Sequence, residues 1–221
     1  FFAMLQREIG SLHQAAYLLG IFAFGSQLLA LVRDRLLAHF FGAGQTLDVY
    51  YAAFRIPDFI FVFVASIVSV SVLIPFLADR LERSHEEARR FVSTVFSFFG
   101  IAVVGVSVGV YFALPWFIDH IFPGFSGESV DQLVRLSRLL LVSPILLGVS
   151  NLFGSITQVH KRFFLYATSP LLYNVGIILG ILVLAPVWGI EGVAVGVIAG
   201  AALHMIIQVP FVVRSGLFPR P

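Results

Sequence analysis

Charged residues divide this chain into long apolar runs. Residues 14–32 hold 19 positions without a charge, 59–78 hold 20, 91–118 hold 28, 139–159 hold 21, 163–190 hold 28 and 192–213 hold 22, the last interrupted only by His204. A helix needs about 20 residues to cross the hydrocarbon of a bilayer. Each run is long enough for one crossing. Barrel strands are about 10 residues long and alternate in polarity, a pattern these runs lack. The pattern predicts an all-α, polytopic transmembrane helix bundle. Spans are placed at about 14–41, 57–78, 91–118, 136–159, 163–186 and 190–213, in a single transmembrane lobe covering residues 1–221.

Composition sharpens this reading. Of 221 residues, 59% are hydrophobic and 12% charged, and the mean hydropathy is +0.97. Soluble domains carry about 25% charged residues, so a chain this poor in charge cannot cover its surface in water. The net charge of +2 calls for no nucleic-acid partner, because most basic residues fall in connections between runs. With no cysteine, disulfides and thiolate metal sites are excluded. The chain starts Phe1-Phe2 and shows no secretory signal pattern. Its abrupt ends read as those of a segment of a longer protein.

The connections also give an orientation. Arg7, Arg80, Arg83, Arg89, Arg90, Lys161, Arg162, Arg214 and Arg220 fall on one side if all six runs cross; Arg33, Arg35, Arg55, Arg135 and Arg138 fall on the other. Nine against five puts both termini in the cytoplasm, where Lys and Arg accumulate. The stretch 79–90 reads as a solvated loop, and Trp116 and Trp188 as interfacial anchors. Pro57, Pro75, Pro115, Pro144, Pro170 and Pro186 mark the spans as kinked. Gly196 and Gly200 have GxxxG spacing, which in a many-span chain reads as packing within the bundle.

Charge inside a span costs about 2.5–3.5 kcal/mol at the bilayer centre on insertion scales, so the polar residues there are functional candidates. They concentrate between Ser26 and Asp58. Ser26 and Arg33 are seven apart and share a helix face, as do Gln27 and Asp34. After Gly42-Ala43-Gly44 a second helix begins near Thr46, a plausible N-cap, with Asp48 and Arg55 sharing a face with Tyr51, and Pro57 resets the chain. Arg33, Asp34, Asp48 and Arg55 therefore gather around one helix–turn–helix. Two readings stand: a staple of ion pairs, or a binding or gate cluster in which the planar arginine fork takes phosphate. Secondary polar positions are Gln27, Asn174, His204 and Gln208. Asn174 reads as an interhelical hydrogen bond, and His204 lacks the companions that a metal site needs. No P-loop, GxSxG or HExxH motif is present, and no cofactor is implied.

The stretch Leu31-Val32-Arg33-Asp34, Phe41-Gly42-Ala43-Gly44, Asp48 and Ala53-Phe54-Arg55-Ile56-Pro57 resembles the opening of the MurJ (MviN) family. The resemblance continues through Val72-Leu73-Ile74-Pro75, Pro115-Trp116, Pro123-Gly124-Phe125, Arg162-Phe163, Ser169-Pro170-Leu171-Leu172-Tyr173-Asn174 and Gln208-Val209-Pro210. It implies a lipid II flippase of peptidoglycan synthesis in the bacterial cytoplasmic membrane. Two lobes would surround a cationic central cavity, with six spans matching the first lobe only. The implied partners are membrane lipids, a lipid-linked glycan substrate and a second lobe of the same transporter. The resemblance places Arg33 on a cavity or gate arginine, Asp34 on its acidic neighbour, Asp48 on an acidic position and Arg55 on a basic one. Gln27 and Phe61 stand where the family has arginines, and Ser66-Ile67 where it has Glu-Gly. Flipping of another polyprenyl-diphosphate-linked glycan, small-solute antiport and a non-transporting scaffold of cell-wall synthesis stay open as alternatives.

Overall fold

The computed structural model describes residues 11–67 and 70–219, and these form helices joined by short connections. They are α1 (Leu12–Phe41), α2 (Gln45–Ile67), α3 (Val70–Arg83), α4 (His85–Ile121), α5 (Glu128–Leu140), α6 (Val142–Val159), α7 (Phe163–Leu179), a π turn (Gly180–Leu184), α8 (Ala185–Ile206) and α9 (Val209–Arg214). Among the described residues, four segments are long and apolar enough to cross a membrane: His13–Phe41, His85–Ile121, Glu128–Val159 and Phe163–Arg214. The last is 52 residues long and folds back on itself. Arg7 and Arg220, which enter the charge balance, and the side chain of Ser66 lie outside the described residues.

Helices that bury little of their surface need lipid around them. Trp116 is 81% exposed and Ile101 77%, and α1 exposes Tyr17, Ile21, Phe24 and Leu31. In a bilayer these faces meet acyl chains, and helix association rests on close packing and on polar contacts. The α7–α8 pair shows such packing. Gly176 faces Gly200, Gly180 faces Gly196, and Gly192 faces Leu184, so residue numbers rise on one strand of the hairpin as they fall on the other. The hairpin tip falls at Gly189, whose φ of 60° and ψ of −140° reverse the chain inside α8. A Cβ on Gly196 would lie 2.6 Å from the Gly180 Cα. The glycine spacing thus serves contacts within the chain. α1 packs on α7, α8 on α6, and α5 and α6 on α2, while α3 joins α4 to α6.

Two local features depart from the sequence reading. The second helix starts at Gln45, so Thr46 lies inside it rather than capping it, and it runs through Pro57 without a break. Proline removes one backbone donor, and neighbouring helices of a bundle compensate for that loss. The stretch 79–90 is also not a loop. α3 continues to Arg83, and Ser84 caps α4 by accepting a hydrogen bond from the Glu87 backbone N–H at 3.1 Å. Ser84 followed three residues later by Glu87 has the sequence of a capping box. Glu86 then takes Arg89 at 2.8 Å and Arg90 at 3.0 Å.

Pro115 shows how a missing donor is replaced. Inside α4 it removes the N–H that would serve the Tyr111 carbonyl four residues earlier. Arg138 of α5 donates its Nε to that carbonyl at 3.0 Å, and its guanidinium lies 4.5 Å from the Tyr111 ring centre. The proline therefore creates the acceptor that anchors α5 to α4.

Candidate functional site

α1, α2 and α7 enclose a cleft of about 460 Å³. It is lined by Arg33 and Leu37 of α1, by Tyr50, Tyr51, Phe54, Arg55 and Asp58 of α2, and by Tyr173 of α7. The α2 residues fall at spacings of three, four and seven, one stripe of an uninterrupted helix. Tyr50 is buried and its ring meets that of Phe54 edge-on at 4.9 Å. This packing stiffens the aromatic wall beside the two arginines.

Arg33 is held from two sides. Its Nε donates to the Asp34 carboxylate at 2.9 Å, with Nη2 at 2.9 Å from the same oxygen. Its Nη1 donates to the Asn174 side-chain oxygen at 3.3 Å. Asn174, only 5% exposed, uses its amide to donate to Ser26 Oγ at 3.1 Å and to the Pro170 carbonyl at 3.2 Å. Ser26 and Arg33 do share a face of α1, and Asn174 bridges them. One side chain thus ties α7 to two turns of α1 and aims an arginine into the cleft.

The other sequence candidates divide. Arg55 lines the cleft, close enough to Asp58 for the two charges to act on each other. Asp34 reaches the site through Arg33. Asp48 stands exposed in the first turn of α2 and is not among the lining residues, and Gln27 is exposed on α1. Asp58, Tyr50 and Tyr173 belong to the lining but were missed. Reading Pro57 as a break cut Asp58 off from the stripe of Tyr51 and Arg55, although it lies seven and three residues from them.

His204 and Gln208 lie elsewhere, in a buried polar node between α6 and α8. Ser150 Oγ lies 2.6 Å from His204 Nδ1 and 3.0 Å from the His204 carbonyl. Gln208, fully buried, donates its amide to Ser150 Oγ at 2.6 Å and to the His204 carbonyl at 3.1 Å. The node sits where α8 ends and α9 begins at Val209-Pro210. These bonds serve backbone groups freed at the helix break.

Comparison with known proteins bears on the cleft. The family model for lipid II flippase MurJ matches residues 37–221. A probable lipid II flippase MurJ of Borreliella burgdorferi is 29% identical over 191 residues, covering 85% of this chain and 37% of that protein. Its counterpart from Thermotoga maritima is 31% identical over 189 residues, covering 85% and 38%. A solved structure of a lipid II flippase MurJ in an inward closed conformation superposes with a TM-score of 0.76 at 26% identity, covering 90% of this chain and 42% of that one. The chain spans about two fifths of the length of the curated relatives it matches.

Proposed function

Because the chain belongs to the lipid II flippase MurJ family, we propose that it forms one lobe of a flippase that carries an undecaprenyl-diphosphate-linked glycan across the cytoplasmic membrane. Support comes above all from Arg33, presented by Asn174 to an aromatic cleft that Arg55 also lines. A planar guanidinium suits the paired oxygens of a diphosphate, and low local dielectric strengthens that contact. Tyr50, Tyr51 and Tyr173 offer rings and hydroxyls to the sugar that follows. A second lobe of the same transporter would complete the path. Both ends of the segment would lie in the cytoplasm. Asp34 and Asp48, at the outer ends of α1 and α2, would close the outer gate, and an ion gradient or the membrane potential would supply the driving force.

The test is complementation. Arg33→Ala, made in the gene that encodes this chain, abolishes rescue of a flippase-depleted strain while the protein accumulates normally. Full growth at a normal protein level would overturn the role given to Arg33. Rescue lost only together with the protein would assign Arg33 to folding.

A further inference from the structure

A second cavity, of about 310 Å³, lies between α4 and α5 and shares no residue with the cleft. Pro115 and Ile118 line it from α4, and Val134, Asp131, Arg135 and Arg138 from α5. Exposed apolar side chains flank it: Phe112 and Trp116 on α4 and Leu139 on α5. Trp116 is the kind of residue that marks the membrane–water interface. The mouth of this cavity therefore meets lipid near the headgroup level.

The charges are ordered with depth. Asp131 lies near the connection that precedes α5. Arg135 is one turn further along, about 6 Å, and Arg138 about 4.5 Å beyond that. At i, i+4 and i+7 the three side chains form one stripe. Asp131 makes no ion pair within 4 Å among the described residues, and Arg135 reaches Glu191 only at 3.9 Å. The side chain of Arg135 is 56% exposed. Arg138 commits its Nε to Tyr111, and among the described residues its terminal nitrogens donate to no acceptor.

The geometry points to a phospholipid site for a headgroup that carries a primary ammonium next to its phosphate, as in phosphatidylethanolamine. Such a lipid meets the cavity in matching order: ammonium at the water's edge against Asp131, phosphate against Arg135 and Arg138, glycerol and first methylenes beyond them against the exposed Phe112 and Leu139. A choline headgroup has no N–H to donate to Asp131. A glycerol headgroup has no cation and places net negative charge beside that carboxylate. Both charge signs in one stripe thus select the zwitterion with a donor. The inference stands apart from the cleft and from the function proposed for it.

The test is native mass spectrometry of the full chain, delipidated in detergent and offered equimolar phosphatidylethanolamine, phosphatidylcholine and phosphatidylglycerol with matched acyl chains. The unaltered chain retains phosphatidylethanolamine about tenfold over the other two, the effect of roughly one charge-assisted hydrogen bond. Asp131→Asn brings phosphatidylethanolamine down to the phosphatidylcholine level and leaves phosphatidylcholine unchanged. Arg135→Gln lowers all three. Equal retention by the unaltered chain, or a preference for phosphatidylglycerol, overturns the proposal before any variant is made. So does an ethanolamine preference that survives Asp131→Asn, or retention indifferent to Arg135→Gln.

Discussion

The contact between Arg138 and the carbonyl freed by Pro115 makes a sharp energetic prediction. Replacing Arg138 with Met keeps the apolar stem and removes the guanidinium. The loss comprises a hydrogen bond from a charged donor, about 1.5–3 kcal/mol, and a partly exposed cation–π contact of about 0.5–1 kcal/mol. Arg138 is partly exposed, so the lower ends apply, and Arg138→Met destabilises the fold by about 2 kcal/mol. Pro115→Ala supplies the missing N–H, and the Tyr111 carbonyl then closes an ordinary helical bond. In that background the arginine has lost its acceptor, and Arg138→Met costs only the cation–π share, about 0.5–1 kcal/mol. The coupling is therefore about 1–1.5 kcal/mol, well above the few tenths that separate independent sites. Equilibrium unfolding of the four proteins in mixed micelles measures it. Additive effects would show that Arg138 packs against α4 without serving the carbonyl, and would refute the account of how α5 is anchored.

Three further outcomes follow from the same geometry. Gly196→Ala drives a Cβ to 2.6 Å from the Gly180 Cα and destabilises the α7–α8 hairpin by about 1–3 kcal/mol, whereas Gly105→Ala, with nothing within 4 Å, is neutral or stabilising by up to about 1 kcal/mol; thermal unfolding in detergent separates them. Asn174→Ala removes the bridge between Ser26 and Arg33 and costs about 1 kcal/mol of stability, with weaker rescue of the depleted strain than the unaltered chain gives at equal protein level. Ser150→Ala leaves the Gln208 amide and His204 Nδ1 without their shared partner and costs about 1–2 kcal/mol in the same unfolding measurement, an effect absent for a control at exposed Ser126.

Much of this could be read along the chain because it depends on one helix at a time. The apolar runs show where lipid surrounds the helices. A separation of seven residues puts Ser26 and Arg33 on one face of α1, and Asn174 looked like an interhelical donor before its partners were known. What escaped reading depends on pairs of helices. Tyr111 and Arg138 are 27 residues apart, and nothing local says that the proline in one helix calls for the arginine in the next. The spacing of Gly196 and Gly200 announces a close approach but does not name Gly180 and Gly176 as the other side. Asp58 was lost for another reason. Along the chain a proline reads as a break, but in a bundle whose neighbours compensate for a missing donor the helix simply continues.

The way Arg33 is held also constrains how an anion reaches it. Three of its nitrogens are engaged, two by Asp34 and one by Asn174. Two N–H groups of its terminal nitrogens remain for an arriving phosphate, which gains a third donor of this guanidinium only by displacing a partner. Asn174 is 5% exposed, so releasing it leaves a buried oxygen without a donor, which costs about 1–3 kcal/mol. The Asp34 side chain is 48% exposed, and water receives it when it leaves. Exchange therefore takes place on the Asp34 side while Asn174 keeps the guanidinium aimed. Surface ion pairs are worth at most about 1 kcal/mol, so Asp34 yields readily to a competing anion. Under the function proposed for the cleft, Asp34 would hold Arg33 in the empty site and leave to water when a phosphate takes its place.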